Sequence, residues 1–167
     1  MDVTWFKDFN KSSLLVEDQA VPTGKDVEID NMEKSAESAK SVWVPNRNGI
    51  FINIAAAYAE ALGADVVIPG FNAEEAATFP DNSKEFLDQA TKSLFYSTAN
   101  HVTVGCYTTH LKKPDIVRLG QGIKVPWELV WPCYFAGEKW CGECESCQRA
   151  KRAFSSANVD VSHLFKG

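Results

Sequence analysis

Four cysteines near the C-terminus constrain this chain more than any other feature of its sequence. They are Cys133, Cys141, Cys144 and Cys147, with the spacing Cys-x7-Cys-x2-Cys-x2-Cys. A Cys-x2-Cys turn brings two thiolates within reach of one tetrahedral ion, and the remaining two cysteines can complete its coordination. Because four thiolates leave no open position on zinc, the spacing predicts a structural zinc site.

Other interpretations of the four cysteines have less support. An iron–sulfur cluster is the alternative, since CxxCxxC also begins the ferredoxin run, but here Gln-Arg-Ala-Lys follows Cys147 instead of a further Cys and Pro. Reduced core thiols are disfavoured because Glu138, Lys139, Glu143 and Glu145 make the segment polar. In a reducing compartment such a cluster indicates a metal site rather than disulfide bonds.

Composition and charge favour one soluble domain that handles a small polar molecule. The 167 residues include 17 Lys and Arg against 22 Asp and Glu, which gives a net charge of −5, and there is no block of basic residues. The chain therefore lacks the concentration of positive charge that non-specific nucleic-acid binding needs. No apolar run approaches 18 residues, and the N-terminus lacks the apolar segment of a secretory signal. We therefore expect a cytoplasmic protein with neither a membrane nor a nucleic-acid partner.

Residues 44–68 have the pattern of a helix followed by a strand. Asn46 can cap the helix and Gly63 can end it. Apolar residues recur at steps of four along one predicted face, at Ile50, Ile54, Tyr58 and Leu62. The run ADVVIPG then predicts a strand buried on both faces of a parallel sheet.

The alternation repeats over residues 81–122. Asp81-Asn82-Ser83 can cap a helix through KEFLDQATKSLFYSTA, and HVTVGCY predicts a second strand with Cys106 in the core. Pro114 begins a third helix that ends at the following glycines. Alternating helices and strands predict an α/β fold, a partial doubly wound parallel sheet with helices on both faces and a C-terminal four-cysteine zinc knuckle.

The motifs divide the chain into three parts. Residues 1–132 form the α/β domain, residues 133–154 the zinc-binding segment, and residues 155–167 a C-terminal tail. Within the first part, residues 21–42 contain eight charged residues and little apolar sequence, which predicts a solvated, mobile loop.

Two polar segments are candidate binding sites. Asn46-Arg47-Asn48 lies at a helix N-terminus, where unpaired N–H groups and an arginine can hold a carboxylate or phosphate; simple helix capping is the alternative. Asn72, Glu74, Glu75 and Asp81 follow the first strand, at the edge where α/β sheets bind ligands. They could bind Mg²⁺ beside a nucleotide or accept hydrogen bonds from a guanine-like amino group; a solvated loop with Asp81 as a cap is the alternative.

Two lysines and a histidine follow the second strand. A lysine at that edge, such as Lys113, can neutralise a polyphosphate, although Lys112 and Lys113 taken singly are also typical of an ordinary surface. His110 has no visible partner, so an ordinary surface or core histidine is favoured over an acid–base role.

Five segments together resemble the 7-cyano-7-deazaguanine synthase family. They run in family order over residues 44–154 and read VPNRNGIFINIAAAYAEALGAD, GFNAEEAATFPDNSKEF, LKKPDIVRLG, PWELVWPCY and CGECESC. The resemblance implies a pyrophosphatase-loop fold of the HUP type. It implies that ATP adenylates the carboxylate of 7-carboxy-7-deazaguanine, that ammonia displaces AMP, and that a second ATP drives dehydration to the nitrile.

The resemblance also implies roles for the candidate residues. Arg47, Asn48 and Lys113 would be catalytic, with Lys113 facing the phosphates of ATP and its Mg²⁺. The loop containing Asn72, Glu74, Glu75 and Asp81 would bind the deazaguanine, and Cys133, Cys141, Cys144 and Cys147 would hold structural zinc.

The chain departs from the family at its N-terminus. Family members begin with a strand and an SGGxDS loop that cradles pyrophosphate, whereas residues 1–20 contain no such segment. We therefore expect a truncated α/β domain of doubtful activity, working as a homodimer or with a complementing N-terminal fragment. The alternatives are a non-catalytic, zinc-stabilised binding module or part of a split enzyme, and an electron-transfer protein with an iron–sulfur cluster.

Overall fold

The computed structural model describes residues 2–16 and 19–166. In chain order the helices and strands are α1 (Met32–Ser41), α2 (Arg47–Leu62), β1 (Val66–Val67), α3 (Ala73–Ala76), α4 (Lys84–Ser97), β2 (Thr103–Val104), α5 (Lys113–Gly122) and α6 (Glu145–Ser156). Short 3-10 helices span Thr4–Asp8, Gly24–Asp26, Pro80–Asn82, Trp127–Leu129 and Ser162–Leu164. Of the helices in the described part of the chain, none has the length and apolar character that crossing a membrane requires.

The chain folds into two compact units. The sheet unit comprises residues 45–112, and the cysteine unit comprises residues 1–44 together with residues 113–167. The units follow contacts in space, whereas the division at residues 132 and 154 follows motifs along the chain and stays a prediction.

A short parallel sheet organises the sheet unit. β1 and β2 pair in parallel, with Val66 opposite Thr103 and Val67 opposite Val104, and α4 lies in the crossover between them. Ser83 caps α4, since its Oγ accepts a hydrogen bond from the amide of Phe86 at 3.1 Å, as the sequence predicts. The α/β class and the parallel sheet are therefore confirmed.

The predicted inner face of α2 is wrong. The buried residues are Ile52, Ala56 and Ala59, which pack with apolar residues of α4 and β2, while Tyr58 and Leu62 are 59% and 81% exposed. After Asn48 the helix has only Asn53 and Glu60 as polar residues, so apolar residues spaced four apart occur on more than one of its faces. The inner face is the one that contains the small residues Ala56 and Ala59. Gly63 ends α2 with φ 70°, as predicted.

The predicted burial of β1 on both faces is also wrong. Val66 and Ile68 are exposed, and among the described residues β1 pairs only with β2. A continuous apolar run predicts a central strand with neighbours on each side, whereas here one edge and part of one face have no covering element within the sheet unit.

Residues 21–42, predicted to be a loop, contain helix α1 in the cysteine unit. Asn31 begins it, because its side-chain oxygen accepts hydrogen bonds from the amides of Glu33 and Lys34 at 3.1 and 3.2 Å. The charged residues of α1 are exposed, while Ser35, Ser38 and Ala39 are buried. A charged segment with few apolar residues, which predicts a loop, can therefore also be a short surface helix whose inner face consists of small and polar residues.

Helix α6 supplies most of the core of the cysteine unit. Its buried residues include Cys147, Ala150, Ala153 and Phe154, and α5 packs against it. Trp127 lies between the two helices, with its ring edge-on to Phe154 at 5.0 Å between centroids.

Replacing Gly120 by alanine is expected to destabilise the cysteine unit by about 1–3 kcal/mol. A Cβ at Gly120 would lie 2.4 Å from the ring of Trp127, which is held between α5 and Phe154. Gly122→Ala is the matched control, because a Cβ there meets nothing within 4 Å and alanine favours helix. Urea denaturation followed by tryptophan fluorescence measures both, and equal stability of the two variants would contradict the packing described here.

Candidate metal centre and candidate substrate site

The four cysteines come together in the cysteine unit. Their sulfur atoms all lie within 4.8 Å of one another, and the sulfurs of Cys141 and Cys147 are 3.8 Å apart. A tetrahedral ion with sulfur bonds of about 2.3 Å places its ligands about 3.8 Å apart. The four sulfurs therefore fit a single tetrahedral metal ion, and the predicted ligand set is assembled.

Backbone amides support the sulfurs of two ligands. Cys133 accepts from the amides of Phe135 and Cys141 at 3.4 Å each, and Cys141 accepts from those of Glu143 and Cys144 at 3.4 and 3.3 Å. Such N–H groups stabilise negative charge on thiolates and fix their direction. The turn between Cys141 and Cys144 passes through Gly142 at φ 77°, a conformation that favours glycine.

The start of α6 contributes the other two ligands. Cys144 is the N-cap residue and Cys147 lies in the first turn, and both side chains are fully buried. The interaction of their two side chains lowers the pKa of Cys144 and raises the pKa of Cys147. Because cysteine binds a metal as its thiolate, metal binding at such a cluster is coupled to the release of protons.

The C-terminal residues, predicted to be a tail, pack beside the metal ligands. The backbone of Trp140 accepts from the amide of Lys166 and donates to the carbonyl of Leu164, at 2.9 Å each. The Trp140 ring is buried edge-on to Phe165, and its Nε1 donates to the carbonyl of Val130 at 3.1 Å. These contacts fix the residue that precedes Cys141.

A second constellation lies in the sheet unit, at the start of α2. The side-chain amide of Asn48 donates to the backbone carbonyl of Asp81 at 3.4 Å, and Arg47 is close enough to act on the Asp81 carboxylate. Asn46 adopts φ 55°, and its side chain makes no capping hydrogen bond. The structure thus brings together Arg47, Asn48 and Asp81, three of the residues that the sequence predicts.

Asp81 is half-buried in this constellation. Burial raises the pKa of its carboxyl above the usual range, while the amide of Asn82 at 3.1 Å and the charge of Arg47 oppose that rise. A partly desolvated carboxylate beside a cation is suited to accept hydrogen bonds from a ligand. Because burial raises its pKa, this carboxyl becomes protonated at a higher pH than an ordinary aspartate does.

The remaining predicted residues have other surroundings. Asn72 is buried and caps α3, since its oxygen accepts from the amides of Glu74 and Glu75 at 3.1 Å each. Both glutamates are partly buried, and each has at least one further polar or electrostatic contact. Lys113 begins α5 and belongs to the cysteine unit. The capping role of Asn72 follows a pattern, Asn-x-Glu-Glu, that sequence reasoning could have recognised.

Sequence reasoning missed an anchor for the loop after β1. Thr108 Oγ1 and Cys106 Sγ both donate to the carbonyl of Phe71, at 2.6 and 3.3 Å. Cys106 is therefore partly buried and bonded to the loop that leads to Asn72, in addition to lining the core as predicted.

Comparison with known proteins gives the family. A family model described as queuosine biosynthesis protein QueC matches residues 1–158. The chain belongs to the QueC family. Among its relatives is the 7-cyano-7-deazaguanine synthase of Bdellovibrio bacteriovorus, 84% identical over 99% of this chain and 72% of the relative. Enzymes of the same name from Carboxydothermus hydrogenoformans and Methanobrevibacter smithii are 54% and 45% identical, over 92% and 95% of this chain and 70% of each relative.

Proposed function

We propose that this QueC-family chain acts in the ATP-dependent conversion of 7-carboxy-7-deazaguanine and ammonia to 7-cyano-7-deazaguanine. Relatives named 7-cyano-7-deazaguanine synthase, one of them 84% identical to this chain, support the reaction class. The single structural observation that supports it is the half-buried Asp81 carboxyl held beside Arg47 and Asn48 at the N-terminus of α2.

The chemistry needs a carboxylate to become an electrophile. Its oxygen is a poor leaving group until ATP adenylates it; ammonia then displaces AMP to give an amide, and a second ATP drives dehydration to the nitrile. In our proposal Arg47 and the first backbone amides of α2 bind a carboxylate or phosphate of the reactants. The helix dipole and the guanidinium of Arg47, which can donate two hydrogen bonds, stabilise its negative charge there. Asn48 positions Asp81 by donating a hydrogen bond from its side-chain amide to the backbone carbonyl of Asp81.

The heterocycle is assigned to the loop that ends at Asp81. An ionised carboxylate accepts hydrogen bonds from the ring N–H and amino groups of a guanine-like base. Glu74 and Glu75 are proposed to contribute to this pocket or to the Mg²⁺ that accompanies ATP, with Asn72 fixing the turn between β1 and α3. Lys113 is proposed to contact the phosphates.

The metal is proposed to be structural zinc. Zinc accepts four thiolates in a closed tetrahedron, which fits the 3.8 Å separation of Cys141 and Cys147. A four-iron cluster binds each thiolate to a different iron atom, which holds the sulfurs farther apart. When bound, zinc crosslinks the turn before α6 and supplies no open position for catalysis. A colourless protein with one zinc per chain is expected.

We also propose a cytoplasmic location and a protein partner. The cytoplasm supplies the ATP that the reaction needs, and its reducing environment suits the five free cysteines. The exposed Val66 and Ile68 of the β1 segment suit coverage by a second copy or by a complementing segment. Sedimentation velocity with and without the part of the Bdellovibrio relative that this chain does not span distinguishes these two partners.

An activity assay tests the proposed function. Purified protein is incubated with ATP, Mg²⁺, ammonia and 7-carboxy-7-deazaguanine, and AMP and the nitrile are followed by mass spectrometry. The chain is tested alone and joined to the part of the Bdellovibrio relative that it does not span. We expect the nitrile and AMP from the joined protein. Absence of both products from a folded, zinc-loaded joined protein would overturn the proposal.

A further inference from the structure

A buried ion pair lies on α6 directly beside the metal ligands. Arg149 Nη2 and Nε donate to the same carboxylate oxygen of Glu145 at 2.7 and 3.0 Å, and the two side chains are 7% and 5% exposed. Glu145 stands between the ligands Cys144 and Cys147. Since removing two charges from water is costly, such a pair needs further hydrogen bonds to be favourable.

Helix α1 supplies those hydrogen bonds. The hydroxyl of Ser38 donates to the second carboxylate oxygen of Glu145 at 2.5 Å, and the hydroxyl of Ser35 accepts from Arg149 Nη2 at 2.7 Å. Both serines are buried. The two helices, more than 100 residues apart in sequence, are thus joined by a closed polar network.

The backbone before α1 binds the same turn. Thr23 forms an antiparallel bridge with the ligand Cys144, and the amide of Gly24 donates to the carbonyl of Glu143 at 3.1 Å. The side-chain amide of Gln148 donates to the carbonyls of both Gly24 and Glu143, at 3.3 and 3.0 Å. Residues 23–41, which we call the docking segment, therefore contact the metal-binding turn at each end.

The buried residues of α1 that the structure describes contribute little apolar burial to this docking. The inner face of α1 presents Ser35, Ser38 and Ala39, which together offer only small apolar surfaces. The segment also buries Val27 and pairs Asp30 with Arg152 of α6, so the polar network is the part of the docking contact that lies next to the metal ligands. That network depends on the position of Glu145, which is fixed by the flanking cysteines when they hold a metal.

We propose that metal binding by the four cysteines and docking of residues 23–41 are thermodynamically coupled through the Glu145–Arg149 pair. A bound ion fixes the turn and so places Glu145 to accept from Ser38. Conversely, a docked segment holds the turn in its ligating shape. Linkage requires the factor by which docking raises metal affinity to equal the factor by which bound metal favours docking, so loss of docking can lower metal affinity by up to that factor.

Zinc competition with a chromophoric chelator tests the coupling from the side of the docking segment. Ser35→Ala/Ser38→Ala removes both hydroxyls without touching a ligand, and we expect zinc affinity to fall about tenfold, within the usual range of such couplings. Lys40→Ala, on the exposed side of α1, is the matched control and should bind zinc like the parent. Zinc affinity of the double variant within twofold of the parent would overturn the proposal.

A rescue variant separates this coupling from a general loss of stability. Adding Glu145→Leu and Arg149→Met to the double variant replaces the charged pair with apolar residues that need no hydroxyl partners. We expect the variant with all four substitutions to recover zinc affinity to within about threefold of the parent, because the packing that docks α1 is restored. Affinity that stays at the level of the double variant would count against the network as the coupling element.

Hydrogen exchange of the parent protein tests the coupling from the side of the metal and needs no variant. Amides of residues 33–41 are compared with zinc bound and after zinc is withdrawn by a chelator, with α5 of the same unit as reference. We expect protection of residues 33–41 to fall at least about tenfold, matching the coupling factor. Unchanged protection without zinc would overturn the proposal even if the variants fail to fold.

Discussion

Cys144→Ser is expected to lose tight zinc binding and to unfold the cysteine unit at moderate temperature. Cys144 is fully buried at the start of α6, and its sulfur lies within 4.8 Å of those of the other three ligands. Structural zinc contributes about 10–16 kcal/mol at neutral pH, comparable to the whole stability of a domain. Elemental analysis and a thermal melt followed by circular dichroism measure the two losses.

Cys106→Ser is the control for this substitution. Cys106 lies in the sheet unit, donates to the carbonyl of Phe71 and is no part of the metal cluster, and a serine hydroxyl can make the same bond. The control should retain one zinc per chain and melt near the parent. A Cys144→Ser protein with full zinc content and the melting temperature of the parent would show that the cluster does not hold the metal.

Asp81→Asn is expected to reduce kcat/KM for the deazaguanine substrate by about 10- to 100-fold or more, without a loss of stability. A hydrogen bond to a charged group contributes about 1.5–3 kcal/mol, and the amide can no longer accept two donors as a carboxylate does. Steady-state kinetics on the joined protein used for the activity assay measures the effect.

The stability of the same variant has a definite sign. Burial raises the pKa of Asp81, so the folded state favours the protonated form. The favourable contribution of this group is therefore complete at acid pH, below its unfolded pKa, and is lost as pH rises through the folded pKa. At pH 7 the neutral amide removes the cost of burying a charge, so Asp81→Asn should be as stable as the parent or slightly more stable.

Asp88→Asn is the matched control on α4. Asp88 is exposed and pairs with Lys84 on the surface of the same unit, so its loss should leave both activity and stability nearly unchanged. Equal activity losses in the two variants, or strong destabilisation by Asp81→Asn, would indicate that Asp81 supports the fold rather than the substrate.

Local chemistry explains why parts of the fold are readable from sequence. Ser83 before α4 and Gly63 after α2 act within one turn of their own positions, so the sequence around each is sufficient to predict it. The four cysteines are readable for a similar reason, since three of them lie within seven residues. Local sequence is not always sufficient, since Asn46, also predicted as a cap, makes no capping hydrogen bond.

Properties that depend on distant neighbours were predicted poorly. The inner face of α2 is selected by packing against α4 and β2, and the helix has too few polar residues to mark its outer face. Helix α1 has a loop-like composition because its inner face uses Ser35 and Ser38 to bind an ion pair more than 100 residues away. No periodicity or spacing in the sequence connects those serines to α6.

X-ray absorption spectroscopy at the zinc edge tests the central claim of a four-thiolate centre most directly. We predict one zinc per chain with four sulfur neighbours at about 2.3 Å and no oxygen or nitrogen neighbour. A spectrum that requires oxygen or nitrogen ligands would contradict the account. So would a native protein that contains neither zinc nor iron and whose four cysteines are all freely alkylated.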